Sequence, residues 1–166
     1  MAKLVLAETI DSIQEIADIA NVVWNEYFPS ILGQEQVDYM VSKFQCVDAI
    51  QTQLQEGYKY YFICQKNINI GYVGLHPRAE KKAIQVSKFY LLKQWRGMGY
   101  GREIMEEISG LAINHSFNKL YLTVNKYNYP SINAYLRMGF LKTGKMKADI
   151  GDGFFMDDYE MERLVR

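Results

Sequence analysis

The chain is predicted to adopt an α/β (α+β) fold, with helices flanking a mixed, mostly antiparallel central sheet of about six or seven strands. Three observations predict this class. An apolar stripe at helical spacing runs from residue 13 to residue 27, and two strand-like runs follow at residues 58–75. Residues 83–112 then have the order strand, glycine-rich turn, helix, which is the order of an α/β unit.

Length and composition indicate one globular domain spanning residues 1–166. The formal net charge is zero and no long basic run occurs, which argues against nucleic acid or an anionic membrane as the main partner. Cys46 and Cys64 are too few for a disulfide framework and lack metal-ligand spacing, so no metal is expected. We expect both thiols to be reduced and mostly buried in a cytoplasmic protein, with no signal peptide and no membrane span.

The first half of the chain is predicted to contain a strand at residues 3–7 and then three helices. The first helix is expected to begin at Asp11, with Gln14 as its capping-box partner, and to stop at Pro29. Further helices are predicted at residues 34–44 and 47–55.

Two strands are then predicted at residues 58–65 and 68–75, joined by a Lys66-Asn67 turn into an antiparallel hairpin. His76 is expected to be a solvated strand end and His115 a helix-end residue. No Ser or Cys is placed to form a catalytic triad with either histidine.

The segment that carries chemistry is the glycine-rich turn at residues 94–102. Its glycines allow close backbone approach, and the first N–H groups of the following helix favour an anion such as a phosphate or pyrophosphate. A simple strand-to-helix turn is the alternative. A dinucleotide site is weakly supported, because the third glycine comes one place early and no acid follows in the next strand. A P-loop is equally weak, because Gly101 precedes Arg102-Glu103 instead of Lys-Ser/Thr.

After the next strand, predicted at residues 119–124, a helix is expected from its Asn128 cap to Met138. Strands follow at residues 140–147 and 154–164. The Asp149–Gly153 turn between them lacks the ligand pattern of an EF-hand. In the last strand Asp157 shares a face with large apolar residues, so it is expected to have a donor, a cation or a substrate ammonium as a fixed partner, or to cap a turn. Asp158 points the other way and is expected to be solvated.

Two blocks resemble the GCN5-related N-acetyltransferase (GNAT) family. Arg96-x-x-Gly99-x-Gly101 resembles the family's Q/R-x-x-G-x-G/A pyrophosphate loop. Residues 128–140 resemble its N-x-x-A-[ILV]-x-x-Y-x-x-x-G-F element, with Ser131 in place of alanine. The resemblance implies the GNAT fold, with a sheet that is splayed at the middle, and acetyl-CoA (coenzyme A) as the cofactor.

The resemblance also implies roles for individual residues. The backbone beside the acetyl group would be that of Phe89, Tyr90 and Leu91. The pyrophosphate loop would consist of Arg96, Gly97, Met98, Gly99, Tyr100, Gly101 and Arg102. The pantetheine arm would contact Asn125 and Asn128, although Asn128 is equally a helix cap. Tyr135 would act as general acid on the departing thiolate, its alternative being a packed aromatic residue. The acceptor site would contain Trp24, Glu26, Tyr27 and Phe28, with core packing as the alternative for Trp24 and Tyr27. The last-strand residues Asp157 and Asp158 are further candidates for contact with the acceptor.

The function predicted from these blocks is acetyl transfer to a primary amine by direct attack in a ternary complex, because neither block contains a Cys. Glu26, Asp157 and Asp158 are the candidate bases. The acidic C-terminal region favours a cationic acceptor, and residues 24–28 resemble the bacterial spermidine and spermine N-acetyltransferases. Acceptors of other kinds (an amino acid, an antibiotic or a protein N-terminus) stay open, as does a non-catalytic CoA-binding sensor. A homodimer is compatible with the family, although no segment indicates an interface.

Overall fold

The chain forms seven strands and six helices; the strands and five of the helices follow the predicted order, and the short helix at Pro29–Leu32 was not predicted. The computed structural model describes residues 1–166. The strands are β1 (Lys3–Leu6), β2 (Lys59–Gln65), β3 (Ile68–Arg78), β4 (Ala83–Leu91), β5 (Lys119–Asn125), β6 (Leu141–Gly151) and β7 (Phe154–Leu164). The helices are α1 (Ile10–Tyr27), α2 (Pro29–Leu32), α3 (Gln34–Phe44), α4 (Val47–Gln55), α5 (Tyr100–Asn114) and α6 (Tyr129–Arg137).

One mixed sheet contains all seven strands in the order β1-β2-β3-β4-β5-β7-β6. Every neighbouring pair is antiparallel except β4 and β5, which are parallel. This arrangement confirms the predicted fold class. The Lys66-Asn67 turn is also confirmed, with φ of 49° and 64°, because left-handed dihedrals match the twist of a tight hairpin.

Helices cover both faces of the sheet, and each face has its own apolar core. On one face, α5 and α6 pack with the sheet around residues such as Ile104, Ile108 and Phe140. On the other face, α1, α3 and α4 pack around residues such as Ile16, Val37 and Ile50. None of the helices combines the length and the apolarity needed to cross a bilayer.

Three element boundaries differ from the predictions by more than a residue or in their capping. Strand β6 runs to Gly151, so most of the predicted Asp149–Gly153 turn belongs to the strand. Helix α1 begins at Ile10 and is capped by Thr9, whose hydroxyl accepts a hydrogen bond from Ser12 N at 3.1 Å, so the predicted start at Asp11 is wrong. Threonine caps as Asp does, and Ser12 rather than Gln14 lies within its reach. Strand β3 continues past its predicted end, which places His76 inside the sheet and stacked on Tyr58 at 4.1 Å. The expected solvated strand end is therefore wrong, because an aromatic neighbour covers the imidazole.

The close contact between β3 and β4 requires glycine at position 71. A Cβ atom there would lie 2.1 Å from Tyr90 O and 3.0 Å from Leu91 Cα, both backbone atoms that cannot rotate away. We therefore expect Gly71→Ala to lower the free energy of unfolding by about 2 kcal/mol or more, as overpacking does. In the control Gly110→Ala, the added methyl group in α5 meets nothing within 4 Å. That change should stabilise the protein by about 0.5–1 kcal/mol. Equilibrium urea unfolding measures both, and equal stabilities would contradict the argument.

Candidate active site

Strands β4 and β5 separate halfway along their length. They pair only at Ala83–Lys119, Ile84–Leu120 and Gln85–Tyr121 and then diverge. On the other side of β4 the register shifts, with Val86 opposite Leu75 but Lys88 opposite Gly74. Ser87 is thus the extra residue of a bulge, which bends the strand away from β5. The splayed sheet implied by the family resemblance is present, and a cleft of about 650 Å³ extends along the gap between the strands.

The backbone of β4 presents alternate N–H groups to this gap. The N–H of Leu92 donates to Ile70 O of β3 at 2.9 Å. Since backbone groups alternate along an antiparallel strand, the N–H of Tyr90 also points towards β3, while those of Phe89 and Leu91 point into the gap. The Leu91 carbonyl also points away from β3, because it accepts a hydrogen bond from the Arg96 side chain at 2.8 Å. Of the backbone predicted to lie beside the acetyl group, Tyr90 therefore contributes no N–H.

The glycine-rich turn ends at the N-terminus of α5 with unused N–H groups. Gly97 and Gly99 have φ of 76° and 88°, which lets the chain turn so that its amides face outwards. The N–H groups of residues 97–101 donate to no backbone acceptor. The N–H groups of Arg96 and Arg102 donate to Lys93 O and Gly99 O, respectively. These two main-chain amides are therefore not free to bind a pyrophosphate, although the family resemblance implied that they would be. The remaining amides, with the positive end of the helix dipole, form an anion site.

The Arg96 side chain ties this turn to α1. Its guanidinium donates to Glu26 at 2.8 Å and lies over the ring of Tyr27, 5.1 Å from the centroid. Glu26 was expected to contact the substrate or to act as the base, but its carboxylate is committed to this ion pair. Helix α1 and the turn thereby form one wall of the cleft.

Asn128 joins the same wall to α6. It is buried, caps α6 by accepting from Ser131 N, and accepts from the Tyr27 hydroxyl at 2.6 Å. Its side-chain oxygen is therefore occupied, and its amide N–H groups are left for a ligand. The side-chain oxygen of Asn125 accepts from Tyr127 N at 2.9 Å. The capping interpretation of Asn128 is correct, and any pantetheine contact would use the donors of the amide.

Tyr135 lies on α6, with its ring against Phe140 at 5.6 Å, and it lines the cleft. The hydroxyl makes no hydrogen bond within the chain. Burial raises the pKa of Tyr135 to about 12, and the neighbouring Tyr27 adds to the effect. The phenol is therefore fully protonated at neutral pH, as a proton donor must be.

The end of α1 forms an aromatic wall. Trp24 and Phe28 are both buried, stack on each other at 4.1 Å, and meet the ring of Tyr90 edge-on. They belong to the core of the α1 face and also line the cleft. These residues therefore pack in the core and also line the cleft, so the two roles are not alternatives.

Of the two aspartates of the last strand, Asp157 has the kind of partner that was predicted and Asp158 does not have its predicted environment. Asp157 forms an ion pair with Lys126, which is the fixed partner that its position required. Asp158 lies opposite Asn125, is only 6% exposed and lines the cleft, so the expectation that it is solvated is wrong. Burial raises the pKa of Asp158 to about 6. The cause is that β7 pairs with β5, which brings this face of the strand under the helices of the α1 face.

The other acids of the C-terminal region do not assemble at the cleft. Asp149 accepts from Gly151 N at 2.8 Å within its own hairpin, and Asp152 is an exposed turn residue. Glu160 accepts from the Tyr121 hydroxyl at 2.8 Å. Of this group only Asp158 faces the cleft.

Sequence reasoning missed a polar group at the far end of the cleft. Lys88, Gln45 and Gln53 line this end and are linked to the buried hydroxyls of Tyr60 and Tyr72. The one available signal was a lysine inside the apolar strand β4, since a buried lysine is rare without a partner.

These features fit acetyl-CoA. The free amides of the turn are suited to an anion such as a pyrophosphate, and a Cβ atom at Gly97 or Gly99 would meet nothing within 4 Å, so the turn is open to a ligand. Phe89 and Leu91, whose N–H groups face the gap, line the same cleft as the turn and Tyr135. No metal ligand or further cofactor is needed for this chemistry.

Known proteins have the same architecture. A PaiA N-acetyltransferase from Thermoplasma acidophilum, in complex with coenzyme A, is 15% identical over 99% of both chains, with a TM-score of 0.78. A GCN5-related N-acetyltransferase from Rhodopseudomonas palustris is 11% identical over 99% of this chain and 95% of its own, with a TM-score of 0.80. A spermidine N-acetyltransferase SpeG chimera from Vibrio cholerae and hSSAT is 16% identical over 98% and 95%, with a TM-score of 0.70.

The family model of the acetyltransferase (GNAT) family matches residues 16–140, which include the bulged strand, the glycine-rich turn and Tyr135. The chain therefore belongs to the GNAT family and is an acyl-CoA-dependent N-acetyltransferase that uses acetyl-CoA.

Proposed function

We propose that the protein transfers the acetyl group of acetyl-CoA to a small primary amine by direct attack in a ternary complex. One observation carries this proposal: a single cleft brings together the free amides of β4, the unbonded hydroxyl of Tyr135 and the buried carboxylate of Asp158. Neither Cys46 nor Cys64 is among the residues that line it, and Cys64 donates instead to Asn69. The cleft therefore supplies no thiol for an acetyl-enzyme.

Each group has a separate task. Acetyl-CoA supplies, when bound, an electrophilic thioester carbonyl and a thiolate leaving group. The N–H groups of Phe89 and Leu91 face the gap, where they can donate to the carbonyl oxygen as negative charge develops on it. Tyr135 donates its proton to the departing sulfur. The residues between Gly97 and Gly101 hold the pyrophosphate with their main-chain N–H groups.

Asp158 is the best candidate for the base. Glu26 and Asp157, the other acids considered, are neutralised by Arg96 and Lys126. Asp158 has no cationic partner, and its raised pKa makes it a better proton acceptor than an exposed aspartate while leaving it mostly ionised at neutral pH. It therefore takes the proton from the acceptor's ammonium group, directly or through water.

A polyamine acceptor has partial support. Asp158 places a negative charge in the cleft, which favours a cationic acceptor. A spermidine N-acetyltransferase chimera also shares the fold. The other acids of the C-terminal region lie away from the cleft, so they do not add to its negative charge. The polyamine acceptor therefore stays a prediction. A cytoplasmic location, a bacterial source and a homodimer also stay predictions.

The proposal is tested by thiol release from acetyl-CoA with a panel of amines: polyamines, amino acids, ω-amino acids, aminoglycosides and short peptides. We expect turnover with at least one small primary amine and intersecting lines in initial-rate plots, as a ternary complex requires. Parallel lines, together with an acetylated protein in the mass spectrum, would contradict direct attack. Tight coenzyme A binding without turnover of any amine would favour the CoA-binding sensor.

A further inference from the structure

Lys88 is a buried cation at the far end of the cleft. It is only 6% exposed, and none of the ion pairs in the protein includes it. Its ammonium group donates to Phe44 O and Gln53 Oε1, each at 2.8 Å, and to the Tyr60 hydroxyl at 2.5 Å. All three donors are thus satisfied by neutral acceptors, and the charge itself has no counter-ion.

This arrangement is costly unless a ligand completes it. A buried charge without a counter-ion is strongly unfavourable, and burial lowers the pKa of Lys88 to about 7. Phe44 is the last residue of α3, so its carbonyl belongs to the negative end of a helix dipole and partly supports the cation. A carboxylate entering the cleft would supply the missing charge.

The groups beside Lys88 also favour an acceptor of hydrogen bonds. The side-chain oxygen of Gln45 is taken by the Tyr72 hydroxyl at 2.9 Å, which leaves its amide N–H groups without a partner. The Tyr58 hydroxyl, which lines the same end, makes no hydrogen bond within the chain. Side-chain carboxylates are absent from the residues that line this end. What the pocket offers a ligand here is therefore donors and one positive charge.

The topology places this end opposite the acid. Lys88 directly precedes Phe89, whose N–H faces the gap, and its side chain lies on the same face of the sheet as Tyr90. Asp158 lies on β7, two strands away from β4 and across the gap where β4 and β5 diverge. An amine at the gap thus has a carboxylate on one side and an ammonium group on the other.

We propose that the acceptor is a small amine that also carries a carboxylate, and that Lys88 is the residue that selects it. This inference rests on the proposed function, because it assigns the far end of the same cleft. A polyamine would bring another amine to this end and no carboxylate to pair with the Lys88 ammonium group, and like charges in a low-dielectric site repel.

The test compares matched acceptors on one enzyme. ω-Amino acids of two to six carbons vary the distance between amine and carboxylate, and their carboxamides remove only the charge. We expect the wild-type kcat/KM to favour the best acid over its amide by at least 10-fold, and to favour it over spermidine. In Lys88→Met the preference should fall to about one, through a higher KM for the acid with kcat nearly unchanged. Lys145→Met, at an exposed lysine of the edge strand β6, should behave as wild type.

Each other outcome has a defined meaning. Equal use of acid and amide by the wild type, or a preference that persists in Lys88→Met, would overturn the inference. If Lys88→Met does not fold, Gln45→Glu tests the same end by adding a carboxylate, which should raise the KM of the acids and lower that of spermidine. If no amine is turned over, the proposed function fails. Calorimetric binding of the same acid and amide pairs to the coenzyme A complex then decides the role of Lys88 by itself.

Discussion

Replacing Tyr135 by Phe is expected to lower kcat about 100- to 1,000-fold, the range for loss of a positioned general acid. Affinity for acetyl-CoA should change by less than about 2-fold, because the hydroxyl has no partner within the chain and the ring keeps its packing on Phe140. Steady-state rates with a good acceptor, together with calorimetric titration of acetyl-CoA, separate the two effects.

The control for this change is Tyr129→Phe, at an exposed tyrosine of the same helix, which should leave both quantities unchanged. The role as an acid can be isolated further with an acetyl thioester whose thiol has a low pKa. Such a leaving group needs no proton, so Tyr135→Phe should lose much less rate with it. A kcat close to that of the wild type, or an equal loss with both thioesters, would show that Tyr135 is a packed aromatic residue.

Replacing Asp158 by Asn should have the second large effect, a loss of about 100-fold in kcat/KM at neutral pH, because the amide cannot accept the proton of the acceptor. In the wild type, kcat/KM should fall as pH drops below about 6, since Asp158 then becomes protonated. The variant should lack this acidic limb. Rates measured between pH 5 and pH 9 test both statements.

Asp158→Asn should lower the rate but stabilise the folded protein at neutral pH. The pKa of Asp158 rises from 3.8 to about 6 on folding, so the folded state binds the proton more tightly than the unfolded chain. Its ionised form then costs the fold on the order of 3 kcal/mol above pH 6, a cost that disappears as the pH falls below about 4. Asp158→Asn removes this cost, and its Tm at pH 7.5 should equal or exceed that of the wild type.

Asp157→Asn is the matched control, because Asp157 pairs with Lys126 at the surface. Its rate and its pH profile should resemble those of the wild type. If Asp158→Asn keeps the wild-type rate and the acidic limb, Asp158 is not the base. A large loss of rate in Asp157→Asn would indicate that the two aspartates act together.

Local sequence patterns predicted the elements well but not all of their boundaries. The hairpin at Lys66-Asn67 was correct because the turn depends on the residues at the turn itself. The start of α1 was missed because Thr9 and Asp11 are both good caps, and only the observed bond to Ser12 selects one of them. Strand β3 extends beyond its predicted end at residue 75. Pro77 was expected to end the strand because proline lacks an N–H, but it still pairs opposite Ile84.

The parts of the site that depend on local sequence were predicted, and the parts that depend on tertiary contacts were not. The spacing of Arg96, Gly99 and Gly101 located the anion site, since the conformation of a glycine turn and the free N–H groups of a helix start are local properties. Which of those amides are free depends on the internal bonds of Arg96 and Arg102, and these bonds depend on the turn's actual geometry. The period of two correctly placed Asp157 and Asp158 on opposite faces, but it does not say which face other elements cover.

The sequence by itself determined the order of the strands and of the main helices, the glycine-rich turn, the tyrosine on the sixth helix and hence the family and its cofactor. Each of these depends on residues that are close in the chain. Only the tertiary structure decided that Asp158 lies in the cleft, that Glu26 is held by Arg96 and that Lys88 is a buried cation at the far end. Strand pairing and helix packing create these environments by joining distant segments, and the burial that results sets the charge and the reactivity of each group.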